Sequence, residues 1–558
     1  MEKRAALAFG LSILLLLAYL WVMETYFTPP QPTAPVTSAP EPPAPPPPRP
    51  VTPPPPPVVP ERGATASRPP QRTAVVAGPL YRGVVSSEGG KAQEWTLHYR
   101  GEKPMVILGE LGPRGLVIGA DLATAEPLAM TLAPSALELG PTKPEAELAL
   151  RGELGGLQIR ETLRFNASRY AIDTHIRVEN TTASPQAIVL ALPWQFRRDD
   201  KTPPEKFPGQ LPTEVVWGSR GRTERIEDLT AVGRHEAEGA WVAMGSTWYL
   251  AAFIPQSPGF TLVIEGDRPE AETKDTNAYR VMIGVRAAPT IAPGQAWEGR
   301  VVVYVGPKEY DRLAALGLED SINFGGFPLP QRYGGLPMAW IGVPILRLMN
   351  WLYGFVGNYG VVIILLTVVS KVLFYPLTVK SLKSMKAMQA LQPQINALRS
   401  KHRNDPRKLQ EETMGLYRKH RVNPMGGCLP MIAQIPIFYA LYLALSVSVE
   451  LQNAPFLCFG RLFGVDLWIC DLAVHDPTYV LPILMGASMF VQQKMTPTMG
   501  DPRQARMMLI MPFIFTFMFL NLPSGLVLYW FVSNVLQILQ QKLMERSGRA
   551  AAKESAKA

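Results

Sequence analysis

Cysteine is scarce in this chain, with three residues among 558, and histidine is nearly as rare with six. Residues 73–318 hold no cysteine, and His98, His175 and His235 stand far apart there without metal-ligand spacing. A structural or catalytic zinc site needs several Cys, His or acidic ligands at patterned intervals. No metal is therefore expected. The acid pairs Glu145/Glu147 and Glu270/Glu272 read as solvated surface rather than as a general acid and base. The apolar runs of the C-terminal half lack paired aspartates, a Ser/His dyad and a His-Glu-x-x-His run. That excludes an intramembrane protease of those chemistries, and no enzyme activity is expected. No internal repeat is evident, whereas many secondary transporters are built from repeats around a midplane site. A transporter or channel with a large outside domain is the alternative to the reading developed below.

Long apolar runs are plentiful. The first, Ala5–Tyr26, follows Met1-Glu-Lys-Arg4, and no small-x-small cleavage site comes after it. It reads as an uncleaved anchor, residues 1–27. Five further spans are expected at Asn358–Val379, Gly427–Val449, Tyr479–Gln493, Met507–Leu520 and Leu522–Leu539. A helix needs about 20 apolar residues to cross a bilayer, so the short fourth and fifth spans require tilt or local thinning. Lysine and arginine crowd alternate loops: before the first span, between the second and third, between the fourth and fifth, and in the tail. Excess Lys/Arg marks the cytoplasmic side. Both termini are then inside and residues 27–335 outside. These cations are spread over several loops, so the net charge of +9 does not point to a nucleic-acid sequence as partner.

The outside half divides by composition. Residues 28–72 form a proline-rich tether, because proline favours extended, semi-rigid chain. Residues 73–318 alternate apolar and polar in short runs, as in Gln158–Phe165, Tyr170–Val178 and Trp241–Ile254, with turn-rich breaks between them. That pattern predicts a β-sandwich. Pro307–Gly317 reads as its closing helix. Residues 319–357 mix Gly and Pro with aromatic and apolar residues at helical spacing, which fits an interfacial helix. Residues 358–542 are the membrane core and 543–558 a basic tail.

Within the core, one cation interrupts an apolar stretch: Gly360-Val-Val-Ile-Ile-Leu-Leu-Thr-Val-Val-Ser-Lys371. A charge at that depth usually faces a bundle interior or a water-filled cavity. The competing reading is that the span ends at Ser370 and Lys371 snorkels to the headgroups. Thr367 and Lys371 are four apart and share a helix face. Ser488 and Gln492 share another, and Trp530, Asn534, Gln537 and Gln541 follow steps of four, three and four. Together with Gln434 they suit a partly wet groove, although interhelical hydrogen bonds explain each alone. Between spans two and three a basic helical hairpin is expected, Ser381–Lys401 and then to His420, with Met385, Met388, Leu391 and Leu398 interleaved. Lys401, Arg403, Arg407 and Lys408 form its candidate recruitment surface for anionic lipid, ribosomal RNA or an acidic protein. The alternative there is a solvated hairpin.

Several stretches resemble the YidC/Oxa/Alb membrane protein insertases, bacterial YidC type: Leu391-Gln-Pro-Gln-Ile395, Val422-Asn-Pro-Met-Gly-Gly-Cys428, Gln434-Ile-Pro-Ile-Phe438, Leu481-Pro-Ile-Leu-Met-Gly486, Phe490–Pro497 and Pro523-Ser-Gly-Leu-Val-Leu-Tyr-Trp-Phe-Val-Ser-Asn534. The resemblance implies a polytopic α-helical protein of the inner membrane. It has six spans, a five-span core with a hydrophilic groove closed toward the periplasm, and a large periplasmic β domain of the Gram-negative type. It implies no nucleotide or metal cofactor. Nascent integral membrane proteins and lipid would be partners, with Sec translocon components and the ribosome. Lys371 would be the groove cation, with Thr367 beside it and Gln434, Tyr529, Trp530 and Asn534 along the groove. The family usually has Arg where Lys371 stands and Tyr where Trp530 stands. Cys458 and Cys470 fall in an outside loop, an oxidising compartment, and a disulfide between them is expected, two separate thiols being the alternative; Cys428, at the cytoplasmic end, is expected to stay free.

Overall fold

The computed structural model describes residues 70–558 apart from 106–111, 114, 120–125, 199–201, 203, 220–221, 268–277, 325, 328–335, 403–404, 421, 423–438, 463–464, 496–501 and 556–558. The first apolar run, the proline-rich tether up to residue 69, Gln434, Arg403 and Cys428 lie outside the described residues.

Alternation in the sequence becomes strand. In Leu157–Asn166 the residues Leu157, Ile159, Glu161, Leu163 and Phe165 point inward and their neighbours mostly outward, as the period of two requires. This strand lies between Glu145–Leu154 and Ala171–Asn180, antiparallel to both. They belong to a nine-stranded sheet that runs on through Ala296–Pro307, Tyr249–Pro255, Trp241–Gly245 and Glu214–Ser219. A six-stranded sheet holds Leu190–Arg198, Tyr279–Ala287 and Phe260–Asp267. Val242, Leu250 and Phe253 from the first and Leu192, Leu262 and Ile283 from the second share one apolar core. Trp241–Ile254 departs from the expected alternation: it is two strands around a turn at Ser246, and both are buried along their length. Strands covered on both faces lose the alternating pattern. The closing helix, α1, is one short element at Tyr310–Ala314, and the chain leaves it through Gly317 at φ +70°.

The rest of the described chain is mainly helical. Helix α2 is Ala339–Val356 and ends on Gly357 in the left-handed conformation, a common helix stop. Helix α3, Tyr359–Leu373, starts at Asn358, whose side chain accepts from the Val361 N–H at 3.2 Å. Pro376 in the first turn of α4, Tyr375–Ala390, prevents α3 from continuing, and the two helices bend by 60°. Helix α3 thus ends at Leu373, two residues after Lys371 and inside the stretch expected as the second span. Pro393 likewise breaks the first arm of the hairpin into α4 and α5, Gln392–Lys401. Helix α6, Pro406–Lys419, is capped by Asp405. Then come α7 at residues 439–447, α8 at Val480–Met495, α9 at Pro502–Phe519 and α10 at Ser524–Ser555. Among the described residues α2 alone is long and apolar enough to cross a membrane by itself, and α3 with α4 passes as a bent pair. Helix α10 packs on α3 and α8, and α8 on α9.

Candidate functional site: a polar seam between apolar helices

The seam lies where α10 meets α3 and α8. Lys371, half-buried on α3, donates from Nζ to Oε1 of Gln537 on α10 at 3.1 Å. Three residues earlier on α10, Asn534 is buried and its Nδ2 donates to Ser488 Oγ of α8 at 3.1 Å. Further along, Gln541 Nε2 donates to the Met495 carbonyl at 2.5 Å. The steps of three and four keep these side chains on one side of α10. A chain of polar contacts thus threads helices that otherwise show large apolar side chains outward, among them Val372, Ile483 and Leu539.

The expected site residues separate here. Lys371 and Asn534 both lie in the seam. Thr367 is fully buried, but its hydroxyl donates to the Ile363 carbonyl of its own helix at 2.7 Å. Tyr529 is buried, and half-buried Trp530 packs against Phe519 and Phe515 of α9, with ring centroids 4.8 and 6.0 Å away. Gln537 stands on the polar face of α10, and nothing in its own helix marks it as the partner of the cation. Its signal is the position opposite Lys371, which sequence spacing within one helix cannot reveal.

In the hairpin, Lys401, Arg407 and Lys408 are exposed. Met388 and Leu391 are buried instead, so they belong to the hairpin's interior and not to an adaptable outer surface. His402 Nε2 lies 3.0 Å from Glu412 Oε1, which ties the two arms. In the loop between α7 and α8, Leu457–Leu462 and Val465–Ile469 form a small antiparallel ribbon, and Cys458 and Cys470 are joined by a disulfide.

The β domain also holds a buried acid. Glu161 occupies an inward position among Ile159, Leu163 and Phe165, and burial pushes its carboxyl up to about 8. An acid in the apolar phase of an alternating strand was the available signal. Among the described residues no group of three His, Cys, Asp or Glu could hold a metal ion.

Residues 351–551 match the 60Kd inner membrane protein family, and residues 73–340 match the YidC periplasmic domain. A membrane protein insertase YidC from Syntrophus aciditrophicus is 36% identical, the match covering 97% of this chain and 99% of the relative. The one from Geotalea daltonii is 34% identical over 98% of this chain and 99% of its own length. The crystal structure of an active YidC insertase with its first transmembrane domain resolved is 17% identical, covers 86% of this chain and 94% of its own, and superposes with a TM-score of 0.34. At nearly full length and above one-third identity, the relatives are decisive: the chain belongs to the YidC family of membrane protein insertases.

Proposed function

We propose that this protein inserts nascent integral membrane proteins into the inner membrane through a groove built around Lys371. A polar segment entering hydrocarbon leaves its water hydrogen bonds unreplaced, at several kcal/mol per unsatisfied group. A polar seam within the bilayer offers those partners and shortens the apolar path. Lys371 adds a charge. An acidic residue of an incoming segment gains electrostatic energy beside it that lipid cannot supply. Lys371 is the groove cation, Gln537 holds its ammonium between substrates, and Thr367, Gln434, Tyr529, Trp530 and Asn534 line the route. No covalent step is involved. The transporter alternative finds no support in the relatives.

The topology read from the charges accompanies this function. Six spans cross with both termini in the cytoplasm, residues 73–318 form the periplasmic domain, 319–357 the interfacial region, and 358–542 the core. The basic hairpin, with Lys401, Arg403, Arg407 and Lys408, faces the cytoplasm and receives ribosomes or acidic partners, and Sec translocon components work beside the core on larger substrates. The observation that carries the reading is the Lys371–Gln537 contact inside apolar helices. The test is photocrosslinking from positions 367, 371 and 530 to a ribosome-bound membrane protein. Adducts from all three support the groove; adducts only from lipid-facing controls such as position 517 would reject it.

A further inference from the structure

The β domain is fastened to the core by a cluster of polar and aromatic groups. Arg100, after the strand Ala92–His98, holds its guanidinium carbon 5.0 Å from the ring centroid of Tyr359 on α3 and 5.9 Å from that of Tyr353 on α2. The two tyrosine rings stack with centroids 3.9 Å apart. Arg100 Nη1 also donates to the Glu450 carbonyl, in the turn after α7. In return Asn453 Nδ2 donates to the Arg100 carbonyl at 2.9 Å. The buried Glu450 carboxyl accepts from Ser448 Oγ at 2.7 Å and from Asn350 Nδ2 at 3.3 Å, and Asn350 Oδ1 accepts from the Tyr359 hydroxyl at 3.3 Å. Arg100 and Asn453 both have positive φ, 48° and 53°. Non-glycine residues in that region carry strain that persists only where the surroundings over-determine it, often at working sites. A second seat lies alongside: Trp248 Nε1 donates to the Ser446 carbonyl at 3.2 Å, and Gln452 Nε2 to the Pro208 carbonyl at 2.9 Å.

One β-domain side chain therefore touches α2, the first residue of α3 and the turn after α7. Tyr359 and Lys371 sit on the same rigid helix, twelve residues or about 18 Å apart. We propose that Arg100 is a positioning residue for insertion: it clamps the outer ends of α2, α3 and the turn after α7, keeps the periplasmic end of the groove shut, and fixes the pose in which α3 presents Lys371 to Gln537. This rests on the groove reading above.

The test uses the full chain in its membrane, with Cys428→Ser and a reporter Ile363→Cys on α3, one turn outward of Thr367. A membrane-impermeant maleimide is applied from the periplasmic side without substrate. Ile363 is fully buried, so the reporter should label slowly while Arg100 is present. Arg100→Ala should accelerate labelling about tenfold or more, the scale of a desolvated cation–π contact. Arg100→Lys should recover part of the protection, since an ammonium still sits over the rings but lacks the planar fork. Asn453→Ala, a milder change, should give a smaller acceleration. A second reporter, Val285→Cys in the β-domain interior, should remain protected throughout. Unchanged labelling at position 363 in both Arg100 variants overturns the proposal. Equal acceleration at positions 363 and 285 also overturns it, because Arg100 would then be a general stability residue. Labelling is read without substrate. If it behaves as predicted while Lys371→Met leaves insertion intact, the clamp stands and the groove-cation reading falls.

Discussion

Two charged side chains show how burial turns residue identity into behaviour. Lys371 was visible as a cation in an apolar run, and its cavity-facing and snorkelling readings were both open on sequence grounds. Its contact with Gln537 on another helix favours an inward orientation. Glu161 is the converse case, an acid concealed in a strand whose alternation looked ordinary. Around it lie Trp95, Phe165, Trp194 and Phe253, and no other titratable side chain lines that cavity among the described residues. Its folded value of about 8 exceeds the ordinary 4.5, so folding disfavours the charged form. The domain is then most stable below the unfolded value and loses stability as pH rises from about 4.5 to about 8. Glu161→Gln should remove that slope and stabilise the domain at pH 8 by roughly a few kcal/mol, with little change at pH 4.5. Amide exchange along Leu157–Asn166, corrected for intrinsic rates, checks this; wild-type protection equal at pH 5 and pH 8 would refute it.

At the scale of elements, periodicity and punctuation were the legible parts. The alternation of Gln158–Phe165 and Tyr170–Val178 foretold strands, and the break expected between the two hairpin helices is where Asp405 caps α6. Pro376 ended a helix that apolar continuity had extended, and Pro393 divided the first arm of the basic hairpin, because a proline in the first turn ends the helix before it. Buried strands such as Trp241–Gly245 lost their period once both faces were covered. Partners across helices, Gln537 for Lys371 and Ser488 for Asn534, were not legible, because pairing depends on packing between segments far apart in sequence. With Met388 and Leu391 buried, the exposed Lys401, Arg407 and Lys408 dominate the hairpin's outer face, beside an exposed Met414. Reversing Lys401, Arg403, Arg407 and Lys408 to Glu should weaken ribosome association and flatten its dependence on salt, while crosslinking of an engaged substrate at Trp530 persists. Sedimentation binding at several salt concentrations is the measurement, and identical curves for both proteins would count against a recruitment surface.

For the whole molecule, hydrogen bonds to residues 446–453 seat the β domain on the core. The proposed groove lies in the core, around the contact of Lys371 with Gln537. Deleting residues 62–315 while joining the first span to Phe324 onward should therefore leave a small one- or two-span substrate insertable at a reduced rate. The reduction reflects loss of the Arg100 contacts. Complete loss at normal abundance would place an essential step in the β domain, and an undiminished rate would make the junction incidental. The central claim concerns the charge at position 371, and its most direct test is the insertion rate of substrates with acidic periplasmic tails. Lys371→Arg should retain activity, and Lys371→Glu should be worse than Lys371→Met. The decisive measurement is Lys371→Met, which keeps most of the side-chain volume, in protein of verified stability: loss of acidic-tailed insertion is predicted, and insertion at the wild-type rate would contradict the groove-cation assignment.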